Sequence, residues 1–343
     1  MPADRKQAAQ AFLQANGWGE AKCEFLSGDA SFRSYQRVHL GDKRAVLMDA
    51  PPEKEPLPPF IQMAHYLTGH GYSAPHIIAR DLETGFLLLE DLGDDLYSHW
   101  LKEKPAQESK LYLEATNFLI DLHKRQEDAP QIPEYDTELL LREATLFVDW
   151  YLAAMLGAER AAELRPSYLK LWQDLFERAP WLPNVVVLRD YHADNLLWMP
   201  KRAGVGKVGL LDFQDAVMGS PAYDLVSFIE DARRDVAPET AMTAINHYIQ
   251  QMQWPSDSFM ALYSLLGAQR NCKIIGIFTR LAMRDDKHDY LDLLPRVWKH
   301  LENDMEHPII RPLRAWMDEV LPVSNLRGIP PLETKQKSGG QIG

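Results

Sequence analysis

Val187-Leu188-Arg189-Asp190-Tyr191-His192-Ala193-Asp194-Asn195-Leu196-Leu197 is the stretch on which the reading of this chain turns. An apolar run, VVVLRD (185–190), ends at Asp190, and another, NLLWM (195–199), begins at Asn195. Both have strand composition, so the carboxylate and the amide sit on the connection between two strands. A third run, KVGLLDF (207–213), carries Asp212 just past its apolar part, in Leu210-Leu211-Asp212-Phe213-Gln214-Asp215-Ala216. Taken singly, Asp190 and Asn195 are ordinary Asx-turn residues and Asp212 caps a turn. Taken together, in this order, they form a set that phosphoryl transfer needs. One carboxylate orients an attacking hydroxyl and accepts its proton. An amide carbonyl and a second carboxylate hold Mg²⁺ on the phosphates.

Upstream of this island the chain reads as strands. After a short helix near 4–15, strands are expected at 21–27, 34–40 and 44–50, the last two separated by Gly41-Asp42. Five prolines between 51 and 59 break regular structure, and a helix follows over 59–69. Further strands fall near 76–80 and 86–90. The result is a small lobe of five strands with a helix between the third and fourth. Around and beyond the island, apolar residues recur at 3- and 4-residue spacing near 108–126, 136–154, 158–178, 221–232, 238–252, 257–283 and 287–303. These segments read as amphipathic helices.

The bulk composition sets bounds. The chain has 343 residues, 46% hydrophobic and 25% charged, with a net charge of −12. That charge removes any general attraction to nucleic acid or anionic membrane. The two cysteines, Cys23 and Cys272, are far apart and match no zinc spacing, and His123, His192 and His288 show none either. No run is apolar enough to span a bilayer, and the N-terminus lacks a signal-peptide core, so the expectation is a cytoplasmic protein without an obligate protein partner.

The two loops resemble those of the aminoglycoside phosphotransferase/choline kinase superfamily, relatives of protein kinases. In that family the first loop usually reads His-x-Asp-x-x-x-x-Asn and the second aliphatic-Asp-aromatic. The resemblance implies an α+β, bilobal protein-kinase-like fold. It would have a small β-rich N-lobe over 1–90, a large, mainly helical C-lobe over 91–324 and a disordered tail over 325–343. It implies ATP and Mg²⁺ as cofactors, Asp190 as catalytic base, and Asn195 and Asp212 as metal ligands. Ser27-Gly28-Asp29-Ala30-Ser31-Phe32-Arg33-Ser34-Tyr35 corresponds to the phosphate-covering loop, placing Gly28, Ser31 and Arg33 at ATP. Phe86 to Gly93 corresponds to the linker between lobes, where the main chain from Glu90 to Leu92 would read adenine. Asp224, in Gly219-Ser220-Pro221-Ala222-Tyr223-Asp224-Leu225, would buttress the loops from a helix start.

Two departures stand out. Leu188 replaces the usual His, and Met48 replaces the third-strand Lys that pairs the α/β-phosphates. Arg33 is the expected substitute, with Arg37 and Arg44 behind it, because an arginine binds phosphate bidentately. For the acidic partner only Glu53 and Glu55 are available, and both flank prolines.

A longer likeness, over roughly residues 20–320, runs through SGDASFRSY, AVLMDAPPE, LRDYHADNLLW, LLDFQDAVMGSPAYDL and GIFTRLAMRD. It points to a bacterial subgroup, the anomeric sugar kinases of peptidoglycan recycling, and implies the C1 hydroxyl of N-acetylmuramate and N-acetylglucosamine as acceptor. Asp231 and Arg233, expected within one helix after the metal loop, and Arg280 are the candidate acceptor residues, the arginines facing a lactyl carboxylate. Asp149, Trp150 and Tyr151 are candidates for sugar stacking and hydrogen bonding. Two alternatives stay open: another small-molecule kinase of aminoglycoside, choline or homoserine type, and a pseudokinase that binds nucleotide without chemistry. A protein kinase is disfavoured, since no Ala-Pro-Glu-like anchor follows the metal loop.

Overall fold

The computed structural model describes residues 3–28, 32–125, 128–322 and 327–331. Alternation along the third strand explains the first sheet. In β3 (Lys43–Asp49), Ala45 and Leu47 face one side, while Val46 and Met48 face the other. The sheet is antiparallel, in the order β1-β2-β3-β5-β4, from β1 (Lys22–Gly28), β2 (Ser34–Leu40), β3, β4 (Ile77–Asp81) and β5 (Phe86–Glu90). Against the Ala45 side packs α1 (Ala3–Ala15), burying Phe12, Leu13 and the nearby Trp18 on Val38, Leu47, Phe86 and Leu88. Each large apolar side chain there contributes about 1.5–3 kcal/mol. An ion pair from Arg5 to the buried Asp49 ties the helix to β3, and Arg5 Nη1 also donates to the Thr84 carbonyl at 2.6 Å. On the other side Val46 pairs across strands with Leu89, and Met48 with Leu87 and Tyr35.

Contacts gather the chain into two compact units. The first takes Met1–Pro133, Val185–Met218 and Ala237–Met252, and the second takes Glu134–Asn184, Gly219–Val236 and Gln253–Gly343. Besides the sheet, the first unit holds α2 (Leu57–Gly69), α3 (Tyr97–Glu103) and α4 (Glu108–Lys124). It also holds β6 (Val185–Val187) and the antiparallel hairpin of β7 (Leu196–Trp198) with β8 (Val208–Leu210). Ser73, between α2 and β4, binds the hairpin: its carbonyl accepts from Leu210 N–H at 2.9 Å. His123 of α4, fully buried, meets the hydroxyl of Tyr248 on α9 (Pro238–Met252) at 2.6 Å, and burial pushes its imidazole down to about 3.

The second unit is helical. It contains α5 (Thr137–Leu146), a π-helical turn (Phe147–Leu152), α6 (Ala153–Leu156), α7 (Ala158–Glu177), α8 (Tyr223–Ile229), α10 (Ser256–Asp285), α11 (Leu294–Asp304) and α12 (Arg311–Val320). Asp136 caps α5 by accepting from Leu139 N–H at 2.8 Å. Where α10 crosses the end of α5, a Cβ on Gly276 would lie 2.3 Å from the Leu146 carbonyl. Only glycine admits that approach, and the helix widens into the π turn at the same point. Asn271 of α10 donates to two buried carboxyls, Glu230 at 2.8 Å and Asp304 at 2.9 Å. Burial raises Glu230 to about 7, and burial beside Glu230 holds Asp304 well above the carboxylate range.

The expected first-lobe strands and helices all appear, within a few residues of their expected ends. Helices α3 and α12 were not anticipated. The helix expected over 221–232 stops at Ile229, and Asp231 caps a turn instead, its carboxylate accepting from Arg233 N–H at 2.8 Å. The segment 287–303 divides into a 3₁₀ turn and α11, which restarts with proline in its first turn. Most of the expected tail lies outside the described residues. Within the part that is described, Arg327 is buried, pairing with Glu302 and Asp318 at 2.5 and 2.6 Å.

Candidate active site

The three residues singled out in the two loops come together in the first unit. Asn195 immediately precedes β7 and Asp212 follows β8, and Leu211 N–H donates to the Asn195 carbonyl at 2.9 Å. The preceding turn is tightly wound: Asp190 N–H reaches the Leu188 carbonyl at 2.9 Å, and Asn195 N–H reaches that of His192 at 2.9 Å. Arg189 (φ 71°) and Asp212 (φ 57°) both adopt the left-handed region. Side chains rarely accept that conformation, and such strain concentrates where a loop must present a group in one orientation.

The Asn195 amide is polarised by its neighbours. Its Nδ2 donates to the Asp190 carbonyl at 3.0 Å and lies 3.2 Å from His192 Nε2. That leaves Oδ1 as the atom available to a cation. The Asp190 carboxylate makes no hydrogen bond or ion pair with the described residues, as suits a group kept for a substrate hydroxyl. Asp212 is oriented by Gln214, whose Nε2 donates to Oδ1 at 2.8 Å. Phe213 stacks on Phe60 of α2 with ring centroids 5.1 Å apart, which anchors the loop. Leu188, buried where the family usually has His, fills core space.

Asn195 and Asp212 line a cavity of about 500 Å³. Leu26, Val46 and Leu89 cover it from the sheet, and Leu197 and Leu211 from the hairpin. Two aliphatic walls of this kind suit a flat heterocycle. At its edge run Glu90, Asp91, Leu92 and Gly93. The Glu90 N–H is spent on the His76 carbonyl at 2.8 Å, and its carboxylate on Arg202 at 2.6 Å. The Glu90 carbonyl and the Leu92 main chain remain as candidates to read a base. Asp91 accepts from Gly93 N–H at 2.9 Å and meets Arg37 at 2.8 Å and Arg44 at 3.5 Å. Arg37 also pairs with Asp94 at 2.7 Å. Both arginines are thus engaged at the linker, and neither lines the cavity.

Arg33 does line the cavity, 3.8 Å from Asp212 Oδ1 and 3.5 Å from Glu55. Gly28 ends β1 opposite Ser34, and Ser31 lies outside the described residues. Asp231, Arg233 and Arg280 belong to the second unit. Asp231 is buried and Arg233 exposed. Arg280 is half-buried on α10; desolvation and the neighbouring Arg284 lower its pKa, and its Nε has no partner among the described residues. The stacking role expected for Tyr151 does not hold: the ring is buried and its hydroxyl is taken by Gly328. Asp149 is paired with Arg165 at 3.0 Å, and Asp224 is buried in the first turn of α8. The contacts of Gln214 with Asp212 and of Arg202 with Glu90 were not legible in the sequence.

Among the described residues no cluster of three or more His, Cys, Asp or Glu could hold a metal. The donor set at hand is one amide and one carboxylate oxygen beside a cavity. It fits magnesium shared with phosphates and water, and it does not fit an all-protein cage.

This architecture and this site define a phosphotransferase. The chain belongs to the phosphotransferase enzyme family, whose pattern matches residues 22–258. It is 36% identical to a protein of Caulobacter vibrioides named N-acetylmuramate/N-acetylglucosamine kinase, over 95% of this chain and 99% of that one. It is 39% identical to a protein of the same name from Pseudomonas aeruginosa, over 90% of each. Among solved structures, a choline kinase from Streptococcus pneumoniae superposes with a TM-score of 0.62 at 13% identity, over 88% of this chain and all of that one. An ADP-bound aminoglycoside phosphotransferase superposes with a TM-score of 0.55 at 14% identity, over 90% and 99%. The fold is therefore the kinase-like fold of those enzymes: an N-terminal antiparallel sheet followed by a mainly helical remainder. No helix among the described residues is long and apolar enough to cross a membrane.

Proposed function

We propose that this protein is an ATP- and Mg²⁺-dependent sugar kinase that phosphorylates the C1 hydroxyl of N-acetylmuramate and N-acetylglucosamine. The relatives' names support the two sugars, and the observation that carries the reading is that Asp190 and Asn195 precede and Asp212 follows the β7–β8 hairpin, whose open ends are joined where Leu211 N–H donates to the Asn195 carbonyl. Asp190 orients the attacking hydroxyl and accepts its proton. A hemiacetal hydroxyl is more acidic than an ordinary alcohol, so an unassisted carboxylate is an adequate base. Asn195 Oδ1 and Asp212 would hold magnesium, which when bound neutralises charge on the transferring phosphate. Leu26, Val46, Leu197 and Leu211 would sandwich adenine, and the Glu90 carbonyl with the Leu92 main chain would read its edge. Arg280, with a partly desolvated guanidinium, is the cation assigned to the lactyl carboxylate; Asp231 and Arg233 complete the candidate acceptor set. The lobe division near residue 90 and a cytoplasmic, nucleic-acid-free role in peptidoglycan recycling are parts of the same reading.

ADP release measured across N-acetylmuramate, N-acetylglucosamine, kanamycin and choline tests it. Turnover with the two sugars alone is expected. Turnover with kanamycin or choline and none with the sugars would replace the substrate assignment.

A further inference from the structure

The missing third-strand lysine leaves a question of charge. Met48 is buried between its cross-strand partners Tyr35 and Leu87 and presents no cation. Among the described residues that line the cavity, Arg33 is the only lysine or arginine. Its guanidinium is nearly enclosed, at 11% exposure, between Glu55 at 3.5 Å and Asp212 at 3.8 Å. Glu55 has a second task, because its Oε1 accepts from Phe32 N–H at 3.1 Å. One carboxylate therefore grips both the backbone and the neighbouring side chain of the same loop. Its own position is set by the prolines around it: Glu55 N–H turns back to the Pro51 carbonyl at 2.9 Å, and Pro56 starts α2.

We infer that Glu55 is a positioning residue that holds Arg33 as this protein's phosphate-binding cation, so that an Arg33–Glu55 pair does from the loop what a lysine would do from strand three. The inference rests on the nucleotide reading above. A fixed guanidinium beside Asp212 offers two parallel N–H donors to phosphate oxygens next to the metal ligands. Without Glu55 the guanidinium would lose one of its carboxylate partners, and part of the cost of ordering it would fall on nucleotide binding. Glu55→Gln separates the two tasks, since an amide oxygen can still accept from Phe32 N–H but no longer pairs with a cation.

Calorimetric titration of the full chain with Mg-ATP and, separately, with adenosine tests the pair. Adenosine fills the aliphatic sandwich without reaching the phosphates, so it also reports that each variant is folded. Arg33→Met is expected to weaken Mg-ATP roughly 10- to 100-fold, and Glu55→Gln roughly fivefold, with adenosine unchanged. Arg33→Lys should recover part of the loss. The double variant should be no worse than Arg33→Met alone, since the second residue acts through the first. Unchanged Mg-ATP affinity in Glu55→Gln, additive losses in the double variant, or an equal loss of adenosine would overturn the pairing. If the unmodified protein binds adenosine no more weakly than Mg-ATP, the nucleotide reading itself falls, and this inference with it.

Discussion

The two units treat their carboxylates in opposite ways. In the first, Asp190 and Asp212 stand on turns between very short strands, both half-exposed, and Asp212 lines a cavity. In the second, Glu230 and Asp304 are sealed in the interior and share one amide donor, Asn271. A buried carboxyl keeps its place only by staying hydrogen-bonded and largely protonated. A catalytic carboxylate must stay ionised and incompletely bonded, because its remaining capacity belongs to substrate and metal. The comparison shows that burial alone does not mark function. The acids proposed to act on substrate and metal, Asp190 and Asp212, are the ones the fold leaves partly exposed.

The largest expected effect breaks the first half of this contrast. Asp190→Ala should lower kcat by roughly 10²–10⁴-fold while Mg-ATP affinity in titration stays within about twofold. Unchanged turnover would remove Asp190 from the mechanism. Asn271→Ala attacks the other half. It leaves two buried carboxyls without their common donor, and chemical denaturation should register a loss of roughly 2–4 kcal/mol. A loss below about 0.5 kcal/mol would show that the cluster has other partners.

A subtler test concerns the orientation of Asp212. Gln214→Ala should raise the magnesium concentration for half-maximal rate roughly five- to tenfold, with little change in melting temperature. An unchanged magnesium requirement would mean that the carboxylate holds its direction unaided. The smallest effect is a pH slope. Glu230 is raised to about 7 in the folded state from an ordinary carboxyl value. The folded protein therefore binds more protons than the unfolded chain between about pH 4.5 and 7. Stability from this group is greatest in acid and is lost as pH rises through 7. His300, lowered to about 4 by burial, acts in the opposite sense below its ordinary value. A melting-temperature fall of roughly 1–3 °C between pH 6 and 8, diminished in Glu230→Gln, is the expected signature. Identical slopes in both proteins would place the titration elsewhere.

Local patterns were legible in the sequence. The five strands of the first sheet followed from alternation and turn residues, because their pairing partners are mostly neighbours along the chain. Asp190, Asn195 and Asp212 were readable because their spacing is set by one hairpin. In the sequence Glu55 could be read only as one of two acids, with Glu53, available to partner a phosphate-binding cation: the prolines beside it look like breakers, yet they fix the turn that delivers it to Arg33. The same blindness hid Asn271, Glu230 and Asp304, which meet only through packing of α8, α10 and α11. Arg202 likewise reaches Glu90 from far along the chain, at 2.6 Å. Short helices such as α3 left too little periodicity to read.

The central claim is transfer to an anomeric hydroxyl by this hairpin, and one phosphorus NMR spectrum of the protein with ATP, Mg²⁺ and N-acetylmuramate tests it most directly. The account predicts a new sugar-phosphate signal coupled to the C1 proton, growing as ADP accumulates and absent with Asp190→Ala. A signal coupled to any other carbon's proton, or none while ADP accumulates, would contradict it.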